Sequence, residues 1–494
     1  MANTRTKRSN RKAGILVCLF LSATCCIPAS AQDWNFEPHV QRAYDLALEL
    51  RIDEAIALLP DPATAQEHYV IALARALDLI LTEDGEKYDS YHDAYESLLE
   101  KRTKSSLPED LFLQAELRLQ WAFVHLKFGH EFDAAWSLRQ SYLNVSDCRE
   151  RFPDFIPARK TAAVLDILIG SVPEKYNWVL GLMGMRGSVT QGLYELQVLR
   201  DSNNTMQREA QLLYAVVQGF VFQNPDSALA AVTPMLNQNT DNRLLNLLGG
   251  ALAIKASQSE KALDMLDRAA KGNGLPLHFV SYLQGEVYLH KGDYQQSINA
   301  YRWFINNYRG QHYIKDAFYK TGLCYFLSGN TNNALEYFRQ ARTKGREDTE
   351  ADKYAGRALS SGRLPDIALS RARYFTDGGY YAEARAVLDS IRPSQLAGKH
   401  DKAEYLYRAA RLADKTGDLA TARRRYTETI RSCGDEPWYF APNSCLQMGY
   451  LHLADGDTTA ARDYFIKARG YPRHEYKNSI DSKAKGALGK ISGQ

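Results

Sequence analysis

Between Phe279 and Ala341 one pattern is written twice at a period of 37 residues: Gly285, Gly292, Ser297, Tyr301 and Phe304, then Gly322, Gly329, Ala334, Phe338 and Ala341. Repetition at this spacing constrains the fold more than composition does. A unit this short cannot bury an apolar face alone and must stack on copies of itself. In the second copy, Tyr319 to Gly329 carries apolar or small residues at helical spacing up to a Gly-Asn break. Asn330 to Asn333 then offers a capping side chain, and Ala334, Leu335, Phe338 and Ala341 mark a second helical stripe. Gly322 and Ala334 stand where larger side chains would hold the two helices apart.

With its small-residue positions and alternating aromatics, the pair resembles tetratricopeptide (TPR) repeats. The resemblance implies an all-α chain, an α-solenoid of antiparallel helical hairpins, whose first helices line a concave groove. From residue 241 to 470 the second-helix small position recurs as Ala262, Ser297, Ala334, Ala384, Ala422 and Ala461. The long step between Ala334 and Ala384 contains an extra helical stretch, Asp348 to Leu359, which marks a bend or a loop facing a partner. Residues 32–240 read as divergent helical hairpins, with Ala122 and Ala134 at small positions, and residues 471–494 as a polar capping helix and tail.

The segment from Ala162 to Leu199 is apolar, but Pro173, Glu174 and Lys175 split it into pieces of about ten residues, too short to span a bilayer. Buried, closely crossing helices are expected there. Its Pro-x-Lys-x-x-x-x-Leu-Gly and Gly-x-x-Gly-x-x-x-x-Gly arrangement, followed by Asn224 to Leu229, makes residues 160–345 similar to the inclusion-body-clearance family of TPR proteins. That likeness implies an interaction protein with no catalytic residue to carry over.

At the N-terminus Arg5, Lys7, Arg8, Arg11 and Lys12 precede an apolar run from Ala13 to Ile27 and then Ala29-Ser30-Ala31, the layout of a secretory signal peptide cleaved after Ala31. Its loss removes five of the 61 basic residues and none of the 58 acidic ones, leaving 56 against 58. A near-neutral mature chain carries no bulk positive footprint for nucleic acid, so none is expected as a partner. No integral membrane span is expected after cleavage. Four cysteines remain, Cys148, Cys324, Cys433 and Cys445. The last two flank one loop, so they are either a disulfide of an exported protein or two free thiols.

No phosphate loop, dinucleotide fingerprint, HExxH or GxSxG motif is present, and the histidines lack ligand spacing. No catalytic residue, cofactor or metal ion is therefore expected. What remains is a surface. Positions three before, one after and four after each packing Gly or Ala share one helix face. They place Tyr282 and Glu286, Tyr319 and Phe326, Tyr407 and Arg411, and Tyr450 on the groove as partner-binding candidates, unless the rings pack against the adjoining repeat instead. The expectation is a non-enzymatic scaffold, periplasmic or secreted, holding a protein or peptide in its groove. The alternative is a carbohydrate-binding protein with tyrosine platforms.

Overall fold

The computed structural model describes residues 34–172 and 177–492. The signal peptide and its cleavage point, like the break at Pro173 to Lys175, lie outside the described residues. Twenty-five α-helices follow one another, and no strand occurs among the described residues. The chain is an α-solenoid of antiparallel hairpins.

A short connector sets each regular hairpin. Helix His278–Lys291 ends on Gly292 at φ 80°, and Asp293 caps Tyr294–Asn307 by accepting from the Gln296 N–H at 3.2 Å. The same Gly-Asx pair recurs at Gly329-Asn330, Gly417-Asp418 and Gly456-Asp457, each glycine at positive φ and each Asx capping the next helix. Glycine takes the left-handed step without a Cβ penalty, and the Asx side chain satisfies an orphan N–H three residues on.

The expected contact between small and aromatic residues has a specific partner, sixteen residues along the chain. A Cβ on Gly285 would meet Tyr301 Cε1 at 2.7 Å, one on Gly322 would meet Phe338 Cδ1 at 2.8 Å, and one on Gly449 would meet Phe465 Cε1 at 2.5 Å. The ring of the second helix lies flat where the first has no side chain. All six small positions from Ala262 to Ala461 are fully buried.

Residues 34–240 form the expected helices, among them Pro38–Leu48, Ala65–Thr82, Pro108–Phe128 and Glu131–Arg151. The core does not break near residue 240: Leu46, Leu50 and Ile52 belong to one apolar cluster with Leu245, Leu283 and Leu323. A buried lysine ties the N-terminal helices together. Lys160 Nζ lies 2.8 Å from Glu116, 2.9 Å from Glu209 and 3.1 Å from the Tyr69 hydroxyl. The glycine crossing expected between Ala162 and Leu199 is present, with Gly192 pressed against the Ala163 carbonyl. Burial of the whole segment is not: Trp178 and Leu182 are 70% and 82% exposed. No helix among the described residues is long and apolar enough to cross a membrane.

Distant parts of the stack are clasped together. Glu83 accepts from the Tyr308 hydroxyl at 2.7 Å and from the Gln311 N–H at 2.8 Å, and pairs with Lys127 at 3.1 Å. Leu275 N–H donates to the Leu50 carbonyl at 2.8 Å. From the last helix, Lys485 reaches the Val172 carbonyl at 3.5 Å.

Candidate functional site

The extra stretch is helix Glu350–Ser360, and it is an integral part of the stack. Its buried Asp352 accepts from the Tyr313 N–H at 2.8 Å and the Asp316 N–H at 3.0 Å, capping the start of Ile314–Leu327. Held in this way, it forms one wall of a cavity of about 360 Å³ whose other walls come from the helices bearing Lys255, Glu286, Lys320, Arg373 and Arg411. Five separate hairpins therefore present charge to one space.

At the cavity's acidic end, Lys320 Nζ sits 2.7 Å from Glu286 and 2.8 Å from Asp316, with the Tyr282 hydroxyl at 3.2 Å. Tyr282 in turn donates to Asp316 Oδ2 at 2.6 Å, and Tyr301 donates to Glu286. Burial works against the Lys320 ammonium, but its two carboxylates overcome that and raise its pKa. Burial alone would raise Glu286, but Lys320, His290 and the Tyr301 hydroxyl together hold it below the usual carboxylate range, whereas burial pushes Asp316 above it. Arg373 donates to the Tyr354 hydroxyl at 2.9 Å and lies over the rings of Tyr354 and Tyr374, while Tyr476 stacks on Tyr354 with centroids 5.7 Å apart. Burial depresses His290.

The structure brings two of the sequence-predicted residues, Glu286 and Arg411, to this cavity. Of the two readings left open for the rings, groove exposure or packing on the adjoining repeat, it has packing for three: Tyr282, Tyr319 and Tyr407 are only 3%, 6% and 3% accessible. Tyr282 is hydrogen-bonded as above. Tyr319 packs on Phe338 with centroids 5.6 Å apart, and Tyr407 packs between Tyr439 and Phe440 at 5.5 and 5.4 Å. Phe326 is half-buried against the main core, and Tyr450 lies edge-on to Phe465 at 5.2 Å. A shared helix face is not a shared surface when the next hairpin covers that face. The residues missed were Lys255, Lys320, Tyr354, Arg373, Lys415 and Tyr476. No spacing singles them out, and Lys320 and Arg373 share their helices with other charged residues, Lys315 and Asp316 on one and Arg371 and Asp377 on the other.

His400, Asp401 and Glu404 place ligand-type atoms within 4.8 Å of one another. Arg363 already pairs with Asp401, and Arg408 holds Glu404 at 2.7 Å, so the carboxylate charge there is balanced without a metal ion. Cys148, Cys324, Cys433 and Cys445 are buried free thiols, so of the two readings for Cys433 and Cys445 the structure has the thiols.

Residues 316–344 match the tetratricopeptide repeat family, and they span the helix pair closed by the contact of Gly322 with Phe338. The same packing recurs at Gly285 and Gly449, so the matched helix pair has counterparts before and after it in the stack. Among solved structures, the human IFIT1 dimer with m7Gppp-AAAA is 12% identical, covering 88% of this chain and 95% of that one at a TM-score of 0.34. The APC/C hetero-tetramer Cut9-Hcn1 is also 12% identical, covering 92% and 97% at 0.23. No curated protein matches the sequence.

Proposed function

We propose that this chain is a non-enzymatic TPR scaffold of the cell envelope that holds a protein partner against the charged face around Glu286, Lys320, Arg373 and Arg411. The observation that carries the reading is the convergence of side chains from five hairpins on one cavity. A stack that only had to stand would need no such concentration of ionised groups, because burying charge costs more than burying apolar surface. Export rests on the succession of basic, apolar and small residues from Arg5 to Ala31. Against the carbohydrate alternative, three of its four tyrosine platforms, Tyr282, Tyr319 and Tyr407, are buried.

A photo-crosslinking residue at Arg411, introduced in the native host, tests this reading. The expected result is a discrete protein adduct in the envelope fraction, with the mature chain beginning at Gln32. A chain retained in the cytoplasm with Met1 in place, or adducts formed only from outward positions such as Phe132, overturns it.

A further inference from the structure

The cavity has a second end. Lys255 and Lys415 come from two helices distant in sequence, Arg243–Lys255 and Gly398–Lys415, and both line the cavity beside Arg411. Among the described residues no carboxylate is within ion-pair distance of either lysine. Lys255 has a hydrogen bond to Gln223 Oε1 at 3.4 Å, and Arg411 has Asp414 only at 3.7 Å.

The acids of the same cavity are already engaged. Glu286 and Asp316 share Lys320, Asp377 stands 3.7 Å from Arg373, and Glu350 stands 3.6 Å from Lys353. The charge left without a counter-ion is therefore positive and gathered at one end. Burial depresses both lysines, and at Lys415 Arg411 adds repulsion against the weaker pull of Asp226, Asp414 and Asp377. Half-buried ammonium groups without an ion-pair partner stabilise little in the empty protein, but they are organised to meet an anion.

An independent observation lies at the acidic end. Asp316 Oδ1 and His290 Nδ1 are buried, line the cavity and have no hydrogen-bond partner among the described residues. Native proteins rarely leave such atoms unpaired unless something else satisfies them. Asp316 Oδ1 can only accept, so the missing group there is a donor.

We propose that the cavity binds a carboxylate-bearing peptide segment, its oxyanion held by Lys255, Lys415 and Arg411 and its N–H groups donating to Asp316 Oδ1 and His290 Nδ1. This rests on the scaffold reading and names the chemistry of the bound segment. A volume of about 360 Å³ suits a few residues rather than a folded surface. A polyanion fits less well, because successive phosphates would be driven against Glu286 and Asp316.

The test uses the full mature chain and three probes in fluorescence anisotropy at low salt: a fluorescein-labelled hexapeptide alternating Gly and Glu, its Gly and Gln counterpart, and a ten-nucleotide poly(A) RNA. The Glu peptide is expected to bind at least about tenfold more tightly than the Gln peptide. It should lose roughly tenfold in each of Lys255→Gln and Lys415→Gln and be retained in Lys255→Arg. Thermal midpoints of the Gln variants should hold or rise, since each removes a half-buried charge that has no ion-pair partner. Equal affinity for the two peptides, tighter binding of the RNA, binding unaffected by both Gln variants, or midpoints falling by several degrees in both overturns the proposal. No native partner enters this assay. A failed peptide titration with the Arg411 crosslink intact removes the ligand class alone, and the converse removes the envelope scaffold alone.

Discussion

Replacing Lys320 by Met removes the one cation between two buried carboxylates while keeping most of the side-chain volume, so the effect is electrostatic rather than a cavity. At 2.7 and 2.8 Å each contact is worth roughly 6 kcal/mol in gross attraction at an effective dielectric of about 20, and desolvation of the three ions offsets much of that. What the variant leaves is Asp316, 1% exposed, and Glu286 without a counter-charge. Breaking one partner of such a cluster costs about 3–5 kcal/mol. The loss also depends on pH in a definite direction. Burial already raises Asp316 in the intact protein, and removing Lys320 raises it further. A carboxyl whose folded pKa lies above its unfolded value costs most when ionised, so the gap between variant and parent widens as pH rises and narrows as protons replace the ammonium. Urea titrations at pH 7 and pH 5, with hydrogen exchange read on His278–Lys291 and Ile314–Leu327, measure both the size and the slope. A loss below about 1 kcal/mol at pH 7, or the same loss at both pH values, refutes the argument.

Two further outcomes follow from burial and charge. Burial alone would raise Glu83, yet His312, Lys127, the Gln311 N–H and the Tyr308 hydroxyl bring it down to about 2, so its contribution is complete above its unfolded pKa and is lost as pH falls from about 4.5 toward 2. Burial depresses Lys127 despite Glu83, so the clasp returns less than the Glu83 shift alone implies. Glu83→Gln should cost about 1–3 kcal/mol at pH 7, and an acid titration in which its deficit stays constant from pH 7 to pH 3 refutes the account. Tyr282→Ala, Tyr319→Ala and Tyr407→Ala should each destabilise by about 3–5 kcal/mol in urea, as core truncations do, and losses under about 1 kcal/mol would return those rings to the surface.

The helical repeat was legible because it is written in local terms. The Gly-Asx connectors at Gly292, Gly329, Gly417 and Gly456 need only a residue without Cβ and a capping side chain next to it. The small positions from Ala262 to Ala461 need only the distance between two helices of one hairpin. Both demands are met within about 20 residues of chain, so sequence spacing alone determined the hairpins, their period and their inner face. Which inner-face residues stay open was a separate matter. Tyr282, Tyr319 and Tyr407 share their face with Glu286 and Arg411, but burial depends on where the following hairpin and the helix Glu350–Ser360 come to rest. The cavity was decided by tertiary structure alone. Lys255, Lys320, Arg373 and Lys415 carry no common spacing, and Tyr476 reaches Tyr354 from more than a hundred residues away. Their meeting depends on the small rotation between successive hairpins, accumulated over the stack and clasped by pairs such as Glu83 with Tyr308. That rotation is set by side-chain packing between repeats, a sum over many weak contacts that leaves no periodic mark in the sequence.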